Sequence, residues 1–289
     1  ITPQVLPKNI NDFSGFIRKW AIGYVAKEAQ DLVSFVGNND YFIKISTGCL
    51  NSCSYCGVRY ARGRVKSKPV QEVKDLFECG LAKGYNRFTL IGTDLGSYGM
   101  DQGTNLIALL KTLLKHSGNY KIRLPNINAR WLIKMLPGFI DVVSTGRIEV
   151  IGSAVQSGSN QILTRMNRLH SVEDYKYAIT ELFKAFPDLK VRTNIIVGFP
   201  GETRADFRET IQLIKDIDFT YADVHRYAIR PGTIAAKMKD QVPSTVVKLR
   251  YCNVMKIFAL KYLKRKYRNK WSTISKVKIK HGNLLPNIR

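Results

Sequence analysis

Three of the chain's five cysteines, Cys49, Cys53 and Cys56, fall within eight consecutive residues of the stretch STGCLNSCSYCGV (46–58). Thiols this close together point to metal or redox chemistry. Structural zinc takes four ligands, usually as two separated pairs. Here the next cysteine is Cys79 and the nearest downstream histidine is His116, neither at ligand-pair spacing. Zinc therefore requires a partner that the sequence does not show, and a disulfide with one thiol left over is a weaker reading still. A cubane iron–sulfur cluster is held by thiolates at short spacings. Three thiolates bind three of its irons and leave the fourth open for chemistry.

The rest of the chain must position such a site. Its 289 residues suit one large domain, or one with short additions. An apolar content of 45% excludes global disorder. No apolar run approaches the about 18 residues of a membrane span, and no secretory signal opens the chain. The odd and clustered cysteines argue against a secreted disulfide scaffold, so a reducing cytoplasm is the expected compartment. The chain begins with Ile1 rather than Met, as expected if the true start lies upstream. The formal charge of +24, from 46 Lys and Arg against 22 Asp and Glu, favours polyanions: RNA, an acidic peptide or a membrane surface. A solvated basic surface is the plain alternative, but residues 251–289 carry eleven Lys or Arg and no acid.

Apolar runs predict strands at 41–46, 88–92, 121–124, 147–155, 191–198 and 222–228. Amphipathic patterns predict helices at 70–83, 104–116, 129–136, 171–185 and 203–216. Alternation of this kind implies parallel β/α units. The nearly continuous apolar run VRTNIIVG (191–198) predicts a sheet covered on both faces. Six units make either a doubly wound sheet or a partial barrel, and pattern alone does not separate them. In both, ligands belong at the carboxyl ends of the strands. The cysteines, GTDLGSYG (92–99), QSGSN (156–160), GFPGET (198–203) and RPGT (230–233) all fall there. Residues 1–38 fit no complete β/α unit and read as a lead-in, as the remnant of an upstream domain would. From 251 a helix is expected, with Tyr251, Val254, Met255, Phe258 and Tyr262 on one face. Lys261, Lys264 and Arg265 lie off that face and are expected to present a basic side.

The spacing Cys-x-x-x-Cys-x-aromatic-Cys, with Tyr55 as the aromatic, resembles the signature of the radical S-adenosylmethionine superfamily. GCLNSCSYCGVRYARGR, LIGTDLGSYGMD, VQSGSNQILTRMNR, TNIIVGFPGETRADFRET and RYAIRPGTIAAKM follow in order. Together, over about residues 41–250, they resemble the methylthiotransferases, which attach a methylthio group to a tRNA base or a ribosomal-protein aspartate. The resemblance implies a partial parallel (β/α)6 barrel at 39–250, followed by a basic helix and tail at 251–289. It implies a [4Fe-4S] cluster on Cys49, Cys53 and Cys56, with S-adenosylmethionine chelated to the open iron. It also implies reductive cleavage to a 5′-deoxyadenosyl radical, an electron donor such as flavodoxin or ferredoxin, and a tRNA or protein/peptide substrate.

By the same resemblance Tyr55 lies near the adenine or covers the cluster, core packing being the plain alternative. Gly92, Thr93 and Asp94 stand where the superfamily holds the methionyl amine. Asp94 would receive that ammonium, and a turn-forming aspartate is the alternative. Gln156, Ser157 and Gly158 suit a ribose or carboxylate contact, against a helix N-cap by Ser157 or Ser159. Arg168 would pair with a carboxylate or lie on the surface. Asn194 faces the site from its strand, and Gly198 and Gly201 permit close approach to a nucleoside. Glu202 is expected to begin a helix. Arg59, Arg226 and Arg230 are expected to face substrate.

The chain also departs from the methylthiotransferase pattern. No cysteine precedes Cys49, where the family carries a second cluster, and only 39 residues follow 250, too few for the family's RNA-binding barrel. Arg59 stands where a proline is usual, Asn194 where an aspartate is, and Ala228-Ile229 where Ser-Pro is. Two other functions remain open: a radical peptide maturase without sulfur insertion, and a basic nucleic-acid-binding protein with a zinc or degenerate site.

Overall fold

In this computed structural model residues 40–266 are described; the expected lead-in at 1–38 and the tail beyond 266 lie outside the described residues. Six strands form one sheet: β1 (Tyr41–Lys44), β4 (Arg87–Ile91), β5 (Lys121–Asn128), β6 (Ile148–Ala154), β7 (Lys190–Val197) and β8 (Tyr221–Arg226). A separate antiparallel ribbon pairs β2 (Ser46–Thr47) with β3 (Lys66–Ser67). All six expected strands are present, and every pairing in the large sheet is parallel. The sheet order is β1-β4-β5-β6-β7-β8. A doubly wound sheet reverses its order at a switch point; this one does not. Every crossover turns the same way, the helices collect on one face, and the sheet is an open, partial (β/α)6 barrel.

The helices are α1 (Val58–Arg62), α2 (Val70–Ala82), α3 (Leu106–Leu113), α4 (Ala129–Lys134), α5 (Leu136–Ser144), α6 (Asn160–Arg165), α7 (Val172–Ala185), α8 (Arg204–Asp216) and α9 (Ser244–Lys266). Apolar period locates α2, α3, α4, α7 and α8. It misses α1, which buries no residue, and α6, which has six residues. It also misses α5, which restarts after Met135 with Pro137 in its first turn. The side chains of Asn105, Ser171 and Thr203 cap α3, α7 and α8, the last through a reciprocal box with Asp206.

Strand β7 shows how the two faces differ. Val191, Thr193, Ile195 and Val197 are buried beneath the helices, whereas Lys190, Arg192 and Asn194 stand on the other face, exposed or half-buried. The run at 191–198 therefore does not mark a sheet covered on both faces, contrary to expectation. Arg192 and Asn194 are the members that alternation sends inward. At the amino ends of the strands this inner face carries an ion network. Arg123 Nη1 donates to Asp40 Oδ2 (2.9 Å) and Nε to Glu149 Oε2 (2.8 Å). Thr89 Oγ1 donates to Asp40 (3.0 Å) and Lys190 Nζ to Glu149 Oε1 (2.9 Å). Burial works to raise the Glu149 carboxyl, but Arg123 and Lys190 bring it down to about 2.

Helix α9 begins at Ser244 and runs uninterrupted past 250. Val254 is buried on it, and Tyr251, Met255 and Phe258 are half-buried, as the expected face requires; the Tyr262 side chain lies outside the described ones. The expected basic side is mostly engaged within the fold. Lys261 Nζ donates to the carbonyls of Ile214 and Ile217 at the end of α8, and Arg265 to Asp218 (2.7 Å) and the Phe219 carbonyl (3.0 Å). A cation there satisfies the orphan carbonyls of a helix C-terminus. Lys264 remains exposed.

Candidate functional site

The ribbon β2–β3 closes the base of a loop, residues 48–65, that leaves the sheet after β1 and carries all three clustered thiols. Cys49 N–H donates to Gly63 O (3.2 Å) and Cys56 N–H to Cys53 O (3.1 Å) within it. Two other strand-end segments clasp it. From the end of α6, Met166 O accepts from Ser54 N (3.0 Å), Arg165 O from Ser54 Oγ (2.8 Å), and Asn167 Nδ2 donates to Ser52 O (2.8 Å). From the loop after β8, Ala235 N donates to Ser54 O (2.8 Å). The carboxyl ends of three distant strands thus determine where the thiols stand.

The thiols are free and half-buried. Asn51 directs its backbone N–H (3.4 Å) and its Nδ2 (3.2 Å) at Cys49 Sγ, and Arg168 Nη1 lies 3.5 Å from Cys53 Sγ. Burial pushes the Cys49 thiol up, and the Asn51 donors oppose it. Donors aimed at sulfur suit a thiolate held as a ligand. Among the described residues no three His, Cys, Asp or Glu side chains gather as ligands of a single metal ion do. Three free thiols, with donors aimed at two of the sulfurs, are a donor set that suits a thiolate-bound cluster. The loop does not fit zinc: His116 is engaged by Glu78 (2.8 Å) and Leu113 O (3.0 Å), and Cys79 is exposed on α2.

Arg168 is buried, with Nη2 bound to Ala154 O (2.5 Å) at the end of β6 and Nε without a partner. Thr93 Oγ1, after β4, and Gln156 Oε1, after β6, are likewise buried and unpartnered. Each such atom costs about 1–3 kcal/mol. Gln156 also holds φ +75°, a left-handed conformation that costs about 1–3 kcal/mol outside glycine. Its backbone is clamped to β7, Gln156 N donating to Asn194 O (2.8 Å) and Ile196 N to Gln156 O (2.9 Å). Unsatisfied and strained polar groups at one end of the sheet mark where a polar ligand belongs.

The Radical SAM superfamily model matches residues 43–214. The chain belongs to the radical SAM superfamily. It is 37% identical over 222 residues to the threonylcarbamoyladenosine tRNA methylthiotransferase MtaB of Thermotoga maritima, covering 75% of this chain and 50% of that one. It is 39% identical over 216 residues to the tRNA-2-methylthio-N(6)-dimethylallyladenosine synthase of Clostridium novyi, covering 73% and 47%. The chain thus spans about half the length of the curated relatives it matches. The fold matches that of the radical S-adenosylmethionine methyltransferase TsrM from Kitasatospora setae, with TM-score 0.58 and 15% identity over 71% of this chain and 39% of that one. It also matches coproporphyrinogen III oxidase HemN from Escherichia coli, with TM-score 0.53 and 17% identity over 76% and 52%.

Within this radical SAM fold the expected site residues separate into two groups. Cys49, Cys53 and Cys56 keep free thiols, and Thr93, Gln156 and Arg168 each keep a buried polar atom without a partner. Half-buried Tyr55 packs edge-on against Phe199 (6.2 Å), in a small apolar cluster with Ile162, Met166, Ile196 and Ala235 beside the cysteine loop. The others serve the scaffold. Asp94, expected to receive an ammonium, already accepts four hydrogen bonds: from Asn51 Nδ2 (2.6 Å), Trp131 Nε1 (2.9 Å), Asn128 N (3.0 Å) and Gly96 N (3.2 Å). Burial raises its pKa, opposed by those donors. Gly92 backs onto Ser46 Oγ.

Ser157 meets Thr210 Oγ1 (3.3 Å), and a Cβ on Gly158 would lie 2.5 Å from Thr210 Cα, so this glycine admits α8 rather than a ribose. Ser159 is the N-cap residue of α6, but its hydroxyl donates to Asp206 (2.6 Å). Gly198, at φ +75°, backs onto Val247 of α9, and Gly201 onto Asp240 and Arg165. Glu202 precedes α8 and pairs with Arg250 (2.5 Å). Asn194 reaches Asp223 (3.3 Å) and His225 (3.5 Å) on the inner face. Arg226 turns the other way, its guanidinium 5.8 Å from the Tyr251 ring on α9, and so is not brought to the inner face. Arg59 and Arg230 are exposed.

Three residues escaped the sequence reading. Asn51 links Cys49 to Asp94, and its place between two cysteines was the available signal. Trp131 carried none, because it reaches Asp94 from α4. His170 follows Arg168 by two residues; burial and the Arg168 charge lower its pKa to about 3.

Proposed function

We propose that this chain carries the radical chemistry of a tRNA methylthiotransferase, with a [4Fe-4S] cluster on Cys49, Cys53 and Cys56 and S-adenosylmethionine beside it. The names of the relatives support the reaction and the RNA substrate. The observation that carries the cofactor reading is Arg168: one guanidinium reaches the Cys53 sulfur and the end of β6 while its Nε stays unpartnered. When bound, the cluster and S-adenosylmethionine supply one-electron cleavage of a sulfonium bond and a 5′-deoxyadenosyl radical able to take a hydrogen atom from the substrate.

The chain's own residues bind and orient. Arg168 offers a buried cation to the methionyl carboxylate. Thr93 Oγ1 and Gln156 Oε1 take the remaining polar groups of the cofactor, Gln156 suiting a ribose hydroxyl. Tyr55 and the apolar cluster around Phe199 keep water from the cluster side. Asp94 holds the end of β4, the Asn51 side chain and α4 in register. An electron donor such as flavodoxin or ferredoxin supplies the electron in a reducing, cytoplasmic compartment; among the described residues no helix is long and apolar enough to cross a membrane.

Anaerobic reconstitution with iron and sulfide tests the reading. About four irons per chain, with 5′-deoxyadenosine formed on adding reductant and S-adenosylmethionine, is the expected result, and about eight would reveal a second cluster. Turnover without any cluster, or zinc in its place, would sink it.

A further inference from the structure

The cysteine loop carries a second feature that the cofactor reading leaves unused. Immediately after Cys56 the chain forms α1 and returns to β3 through GVRYARGRVK (57–66), which contains no acid. Arg59, Arg62, Arg64 and Lys66 are exposed, and none makes a side-chain hydrogen bond or ion pair among the described residues. Tyr60 is 78% exposed, the most of any large hydrophobic side chain described. Helix α1 buries no residue at all, so core packing does not explain why an aromatic stands there. The contrast with α9 is informative: its Lys261 and Arg265 bind carbonyls at and just past the end of α8, whereas the loop cations have no such partner among the described residues. The segment is also anchored to the site itself, Gly63 O accepting from Cys49 N.

Resting on the RNA reading above, we infer that residues 59–66 are a docking surface for single-stranded RNA, which holds the loop around the target base beside the cluster. Tyr60 is the platform on which an unpaired base flanking the target stacks. Arg59, Arg62, Arg64 and Lys66 contact the phosphates on either side. Four cations around one exposed aromatic match what a single strand offers, alternating phosphates and π-faces. An acidic peptide would use the charges but leave the tyrosine without a role.

The test uses the intact chain and two probes: a short RNA hairpin with an adenine-containing single-stranded loop, and a blunt RNA duplex of equal charge. The hairpin is expected to bind more tightly. Tyr60→Ala weakens hairpin binding roughly five- to a hundredfold, the range of one lost base stack. Tyr60→Phe, which keeps the ring, stays within about twofold of the parent. Replacing Arg59, Arg62 and Arg64 together with alanine lowers the slope of log affinity against log salt by about two, at roughly 0.7 per single-strand phosphate contact. Because α1 buries nothing, these variants melt with the parent protein. Hairpin binding by the parent that Tyr60→Ala and the triple variant leave unchanged overturns this surface while leaving the RNA reading standing. A parent chain that binds neither RNA probe overturns both.

Discussion

The two ends of the inner sheet face are built from similar residue types and do opposite things. At the amino ends, Asp40, Arg87, Arg123, Glu149 and Lys190 meet one another across five neighbouring strand positions, each charge with a partner of opposite sign. At the carboxyl ends, Arg168 keeps a free Nε, and Thr93 and Gln156 keep free oxygens. The α1 cations have no partners among the described residues. Paired charges tie the amino ends of neighbouring strands together; unpaired ones store binding capacity at the cost of stability. The same division separates the basic residues of the chain as a whole. Lys261 and Arg265 on α9 stabilise α8, while the shorter basic run beside the cysteines has no side-chain partner among the described residues.

The largest expected effect breaks the carboxyl end. Replacing any one of Cys49, Cys53 or Cys56 with alanine should bring iron content and 5′-deoxyadenosine formation to background, with thermal stability of the cluster-free chains little changed. The next breaks the amino end. Arg123→Met takes from buried Asp40 its nearest cation and leaves Glu149 to Lys190 and Arg87, and denaturant titration should show a loss of about 3 kcal/mol. If that variant instead lost S-adenosylmethionine binding at full stability, the division between the ends would be wrong. Third, Arg168→Gln should weaken S-adenosylmethionine binding by roughly ten- to a hundredfold, the worth of a hydrogen bond to a charged group, seen by equilibrium dialysis.

A pH titration sharpens the contrast. The Glu149 carboxyl sits at about 2 in the fold, below its ordinary 4.5, so its contribution is complete above about pH 4.5 and is lost as pH falls toward 2. Glu149→Gln should be less stable near neutrality and show a shallower acid loss over that window. The smallest effect is at α9: Lys261→Met should cost about 1 kcal/mol through the uncapped end of α8, with no change in the salt dependence of RNA binding.

The order of the β/α units and the cysteine spacing were readable in the chain, because alternation, amphipathic period and ligand spacing are local properties. They placed all six strands to within a few residues and put the cysteines and the four polar motifs after their carboxyl ends. Helices α1 and α6 were not readable, being too short and, for α1, too exposed to carry a period. Local pattern also could not say whether the sheet was doubly wound; the strand order, a property of long-range pairing, decided it.

Cysteine spacing, together with the family resemblance of the motifs, pointed to a thiolate-bound cluster at Cys49, Cys53 and Cys56 and to polar contacts from the strand ends. Which strand-end residues are free for a ligand is a tertiary matter. Asp94 and Gln156 looked alike in sequence, but Asp94 meets donors from residues 34 and 37 positions away and Gln156 Oε1 meets none. Gly158 and Gly198 looked like ligand glycines, yet α8 and α9 occupy the space they leave open. A hydrogen-bonding group is available only if nothing else in the fold has satisfied it, and its competitors come from distant parts of the chain. Local sequence names the candidates; packing selects among them.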